Sequence, residues 1–167
     1  MEQVKQLPEE LQVQIFKDLL VQELLDQQFE MIKHDGFNLR FIKNPSEEMQ
    51  LAAVTQDGYS IEFIKEPSEK VQLAAVAECP SAIEHIEFPS IKVQKLVIAE
   101  NSDLIELIKD PSEEVQLIAV SDNFFHIGNI ENPTKKVYIE ALKKLSLEKE
   151  FSRESLELLD FIKNKLS

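Results

Sequence analysis

Three histidines, one cysteine and two glutamate pairs are the side chains of this sequence that could do chemistry. His34, His85 and His126 together with Cys79 are the residue types of a zinc site, which needs nitrogen and sulfur donors converging on one point. They fall in different columns of the internal repeat described below, so stacking does not line them up. They read as isolated polar or half-buried side chains, and no metal is expected. Glu47 with Glu48, and Glu113 with Glu114, could supply a general acid and base. Both pairs recur with the repeat in the first turn of helices, where carboxylates suit the helix dipole. The three glycines show no phosphate-cradling spacing. The sequence therefore predicts no catalytic residue and no cofactor: the chain is read as not an enzyme.

The elements that would position any site come from a repeat. Pro45, Pro67, Pro89, Pro111 and Pro133 stand 22 residues apart. Four residues after each proline come Met49, Val71, Val93, Val115 and Val137; nine after, Val54, Val76, Ile98, Val120 and Leu142. Ile61, Ile83, Ile105 and Ile127 form a further column, and Ile64, Ile86, Ile108 and Ile130 another. A unit this short cannot bury its own apolar face, so units must stack. The predicted class is all-α: an α-solenoid, of right- or left-handed superhelix, with about five repeats of 22 residues and helical caps at both ends. The expected divisions are an N-terminal cap over 1–22, five repeats over 23–132, and a partial repeat with a C-terminal cap over 133–167.

Each unit reads as a longer helix followed by a short one. Asn44, Asp110 and Asn132 are expected as N-caps with the proline at the first helical position, and Glu47 or Glu113 where a capping box wants it. The helix is expected to end near Asp35-Gly36 or Asp57-Gly58, with glycine in the left-handed conformation. Isoleucines three apart in "SIEFIKE" predict a short helix, partly 3₁₀. At the ends, Leu11, Ile15, Leu19, Phe16 and Leu20 are read as the buried stripe of one cap. Ser152 as N-cap, with Leu156, Leu159, Ile162 and Leu166 buried, describes the other.

The net charge is −13, from 31 acidic and 18 basic residues. Residues 134–167 hold eight basic and six acidic groups, so the first 133 residues carry 25 acidic and 10 basic, a net of −15. This excludes direct binding to nucleic-acid phosphates, which requires a basic surface, and favours a basic protein partner. Five stacked layers at roughly 8–10 Å each would carry about one excess negative charge per 3 Å, comparable to a DNA strand. The single cysteine, the lack of a signal-like N-terminus and the lack of a long apolar run predict a cytoplasmic chain with no membrane contact, a monomer or weak homodimer.

The units "NPSEEMQLAAV" and "DPSEEVQLIAVSDN" resemble the leucine-rich-repeat-variant and HEAT-like class of short α-solenoids. They are closer still to a repeat family written around "NPSEEVQLAAV" in bacterial, phage and giant-virus genomes. The resemblance covers residues 41–142 and departs at "FPSIKVQKLVIAEN", where Ile91, Lys92 and Lys95 stand, and at "NPTKKVYIEAL". It implies the fold and a habit of protein binding, and its phage setting implies an inhibitor of a host nucleic-acid-binding or defence protein.

Gln50, Gln72, Gln94 and Gln116 share one column and are expected to bond backbone groups between units, with Tyr138 ending the ladder. Candidate partner-binding residues are the variable short-helix positions Phe41, Phe63, His85 and Leu107, edged by Glu62, Glu84 and Glu106. The turn column of Phe37, Tyr59 and Phe125, with Phe124 beside it, is the second candidate. Phe41, Phe63 and Leu107 could equally pack between units. The function read from these features is a protein-binding module, an acidic inhibitor or scaffold. The alternative is self-association of the rod, its Lys-rich C-terminal region against the acidic repeats.

Overall fold

The computed structural model describes residues 7–147 and 151–166. Among them are seven α-helices and five 3₁₀ helices, and no strand. Helix α1 (Glu9–His34) is followed by alternating short and long helices: η1 (Gly36–Phe41), α2 (Glu47–Gln56), η2 (Gly58–Phe63), α3 (Glu69–Glu78), η3 (Pro80–His85), α4 (Ile91–Glu100), η4 (Ser102–Leu107), α5 (Glu113–Asp122), η5 (Phe124–Asn129) and α6 (Lys135–Leu145). Helix α7 (Arg153–Leu166) closes the stack. The expected solenoid of helix and short-helix units is present, and the short helices are 3₁₀ throughout.

The repeat columns are the core. Ile32, Val54, Val76 and Val120 are buried, as are Leu39, Ile61, Ile83, Ile105 and Ile127 from the short helices. Ala53, Ala75 and Ala119 let successive α-helices approach closely, and Val97 fills the same column in α4. Each α-helix packs on the next, and α2 to α5 also pack on the short helices to either side, so the core is one continuous seam.

Helix starts differ from expectation. The N-caps are Ser46, Ser68 and Ser90, whose hydroxyls accept from the N–H of Met49, Val71 and Val93 at 3.3–3.4 Å. Asn44, Asp110 and Asn132 lie two residues earlier, and Asn44 turns the loop at φ 56°. The proline therefore precedes the cap, and no capping box forms, since Glu47 and Glu113 are the first helical residues. Their carboxylates reach the next unit instead: Glu47 accepts from Ser68 Oγ, and Glu113 from Thr134 Oγ1 at 2.7 Å and Lys136 Nζ at 3.2 Å. Where Ile91 occupies that position, Ser112 Oγ is buried with no partner.

The expected glutamine ladder joins units at Gln72 and Gln94 only, and Gln116 Oε1 is buried without a partner. The amide of each glutamine donates to the carbonyl of its own unit's proline, at 3.1 Å for Gln50, Gln72 and Gln94 and 2.7 Å for Gln116. The carbonyl oxygens of Gln72 and Gln94 accept from the N–H of Ser90 and Ser112 in the next unit. Tyr138 ends the series and faces Phe161 of α7.

Glycine serves a purpose other than the expected one. No glycine has positive φ; the turn is made by extended Asp35 and Asp57, whose carboxylates accept from the N–H two residues on. Gly36 and Gly58 are required by close approach, because a Cβ would lie 2.5 Å from the carbonyl oxygen of Ala53 or Ala75 in the next helix. Their N–H groups donate to Gln56 and Glu78 of that helix.

The ends also differ. The expected boundary at residue 22 falls inside α1, which is one helix through the cap and the first unit. Leu11, Phe16, Leu19 and Leu20 are exposed rather than buried, because the next repeat's helix covers only the last turns of α1. In α7, Ser152 caps through the N–H of Ser155 and Ile162 is buried as expected. Leu156 points outward, and residues 148–150 of the expected cap lie outside the described residues.

Replacing Gly58 by Ala is expected to destabilise by about 1–3 kcal/mol, read by chemical denaturation. Gly128→Ala is the neutral control, since nothing lies within 4 Å of a Cβ there. Hydrogen bonds from Thr134, then from Lys136, hold the Glu113 carboxyl below its ordinary pKa. Its contribution is thus complete above the unfolded glutamate pKa of about 4.3 and is lost as pH falls through the depressed folded value. The stability difference between wild type and Glu113→Gln is therefore expected to shrink through that acidic window.

Candidate functional site

The two aromatic columns singled out in the sequence form one ladder. The ring of Phe37 meets Phe63 of the next unit edge-on at 5.7 Å, and Tyr59 meets His85 at 5.6 Å. Phe63 and Leu107 are half-buried against the core, so both are packing residues that show an edge. Phe41 is 66% exposed, with the Arg40 guanidinium 4.7 Å from its ring centre. Glu62, Glu84 and Glu106 are exposed as one acidic line, and His85 Nε2 stands 3.4 Å from Glu84. A hydrogen bond donated to Cys79, then burial, pushes the Tyr59 phenol up.

These residues do not make one patch. Glu62, Phe63, Glu84 and His85 lie in the middle of the rod, with Glu106 and Leu107 one unit further on. Phe41 lies at the first short helix and Phe124 and Phe125 at the last. Phe124 is half-buried and tilted against the 40%-exposed Phe125 at 4.6 Å, closing that end of the core.

The middle group borders a groove of 480 Å³ between the end of η2 and the end of η3. Glu62, Glu66 and Glu87 stand around it against one cation, Lys65, with His85 and Phe88 on its far wall. Phe88 is 80% exposed, more than any other large apolar side chain described. Its loop is held from behind: its carbonyl accepts from Gln72 at 3.4 Å, and the N–H of Ser90 donates to the same amide. These bonds fix the loop backbone on which Phe88 is presented.

The repeat columns carry a signal for Glu87 and Phe88 that lies outside the short-helix and turn columns. The column of Phe88 holds Asn44, Glu66, Asp110 and Asn132 in the other units, and that of Glu87 holds Lys43, Lys65, Lys109 and Glu131. The third unit thus has an exposed ring where the others have a polar residue, beside an anion where all but the last have a cation. Three carboxylates around an apolar ring form a seat for an Arg or Lys side chain, whose charge meets the acids while its stem or guanidinium lies on the ring.

A second constellation gathers half-buried and exposed groups around one buried histidine. His126 is 4% exposed, with Nε2 3.1 Å from Ser102 Oγ and 3.5 Å from Asp103 Oδ1, and Ser102 Oγ is bonded to Asp122. These are the residue types of a nucleophilic triad in a different arrangement. In a triad the carboxylate holds the imidazole nitrogen facing away from the serine. Here Asp103 shares Nε2 with the serine, and the serine hydroxyl donates its hydrogen bond to Asp122. The network assigns Nε2 as a donor, and the group ties η4, α5 and η5 together.

Among the described residues, no group of three or more His, Cys, Asp or Glu could hold a metal ion, and no helix is long and apolar enough to cross a membrane. No family model matches the chain, and neither a curated protein nor a solved structure matches it significantly.

Truncating His126 to Ala is expected to cost about 2–4 kcal/mol through the cavity and the lost hydrogen bond, measured as a fall in the denaturation midpoint.

Proposed function

We propose that this chain is a non-catalytic protein-binding module, an acidic helical rod that occludes or scaffolds a basic protein surface. The observation that carries this reading is the groove in which Glu62, Glu66 and Glu87 surround the exposed ring of Phe88. Rigid repeats beneath it keep these groups in place without a partner, which lowers the entropic cost of docking. Glu84 and Glu106 extend the acidic line along the rod, so a strip of regularly spaced cations would meet it in register. Charge of this density supports a partner whose own ligand is a nucleic acid. The resemblance of the units to phage-borne repeats supports a host nucleic-acid-binding or defence protein as that partner, met in the cytoplasm.

The test is binding of an Arg-rich amphipathic peptide and of basic host proteins to the immobilised chain at low and moderate salt. Wild type is expected to retain them at low salt. Retention is expected to fall at least about tenfold in the Glu62→Lys, Glu84→Lys, Glu106→Lys variant and in Phe88→Ala, with the fold unchanged by circular dichroism. Undiminished binding by the triple variant would sink the assignment.

A further inference from the structure

The last ten residues of α1, 25–34, occupy the place that α2 occupies in the next unit, so residues 9–24 run on past the edge of the stack. No residue of that stretch is buried. At 1.5 Å per residue the projecting part is about 24 Å long. It is apolar out of proportion to its exposure: Leu19 is 57%, Leu20 66%, Val21 58% and Leu24 54% exposed. A helix this apolar is ordinarily covered.

One of its faces is continuous along the whole helix. Val13, Phe16, Leu20, Leu24, Gln27 and Met31 follow spacings of 3, 4, 4, 3 and 4. That 11-residue cycle averages about 3.67 residues per turn, so the positions stay in line on an undistorted helix. The face points away from the repeats, because Met31 is 45% exposed while its neighbour Ile32 is fully buried.

We infer that this face is a homodimer interface, two α1 helices pairing antiparallel about a two-fold axis. The stripe is self-complementary in that orientation: with Leu20 of one copy opposite Leu24 of the other, Val13 falls opposite Met31 at both ends, as an isologous contact requires. The same orientation opposes the two helix dipoles. It also sets the acidic first turn, Glu9 and Glu10, beside the basic last turn, Lys33 and His34, of the second copy. The area is sufficient. Two facing half-cylinders about 28 Å long and 10–12 Å across bury on the order of 1,000 Å² together, the threshold of a specific interface. The pairing leaves the Glu62–Phe88 groove uncovered, so it stands or falls apart from the proposed function.

The test is sedimentation velocity of the full chain across the micromolar range at low and moderate salt. Wild type is expected to pass from monomer to dimer, more readily as salt screens the net charge of −13 on each copy. Leu20→Glu with Leu24→Glu is expected to weaken dimerisation at least tenfold. Those side chains touch nothing in the monomer core, so an unchanged melting curve shows the fold intact. Leu11→Glu, on the opposite side of α1, is expected to remain dimeric. A monomer throughout would overturn the inference, as would open-ended growth beyond a dimer. So would a dimer that survives the double substitution; if salt dissolved that dimer, the contact would be between the Lys-rich end and the acidic repeats.

Discussion

The structure depends on a unit too small to enclose its own core. Ten residues of α-helix and six of 3₁₀ helix leave apolar side chains on both flanks, so each layer is complete only between two others. Burying backbone that closely creates a second demand, since every polar group entering the seam needs a partner. The glutamine column meets most of it by bonding the proline carbonyl of its own unit and, from Gln72 and Gln94, the serine N–H of the next, while Gln116 Oε1 is left unpaired. One amide thereby fixes both the shape of a loop and the spacing of two layers.

That demand explains which substitutions the repeat admits. At the start of the short helices, Gly36 and Gly58 allow contact with the following helix and donate to its side chains, whereas Pro80 has no N–H to give. At the first helical position a carboxylate ties two units, whereas Ile91 leaves the Ser112 hydroxyl unpaired. The stretch from Pro80 to Ile91, where the third unit joins the fourth, departs from the other units in several columns at once. The same stretch carries one wall of the acidic groove, and its irregularities lie at the loop edge while Val93, Val97 and Ile98 of the following helix stay buried in the core.

The two ends solve the problem of an open stack differently. At one, Tyr138 replaces the ladder glutamine and α7 lays Ile162 over the last layer. At the other, α1 covers the first repeat with its final turns and carries apolar side chains beyond it. A stack capped by its own helix at one end and extended at the other has one natural place to meet a second copy, leaving its flank for other partners.

The sequence by itself determined the all-helical class, the 22-residue register, the buried columns and the role of the glutamines. Each is a periodic property, and stacking forces equivalent residues into equivalent surroundings. It was less informative about helix starts: Asn44 and Ser46 are both good caps, and which of them acts depends on the loop conformation that Gln50 imposes by holding the Pro45 carbonyl. Nor could it separate a glycine needed for positive φ from one needed for close approach, since only the neighbouring helix decides between them. In the candidate site, His85 was legible as a member of a variable column and Glu62 and Glu84 as the acidic residues that edge it. Tertiary structure alone showed that Phe63 and Leu107 lean on the core, that Phe88 stands exposed, and that Ser102 and His126 meet across 24 residues. The exposure of α1 was hidden for the same reason, because an apolar helix reads as buried until the length of the element meant to cover it is known.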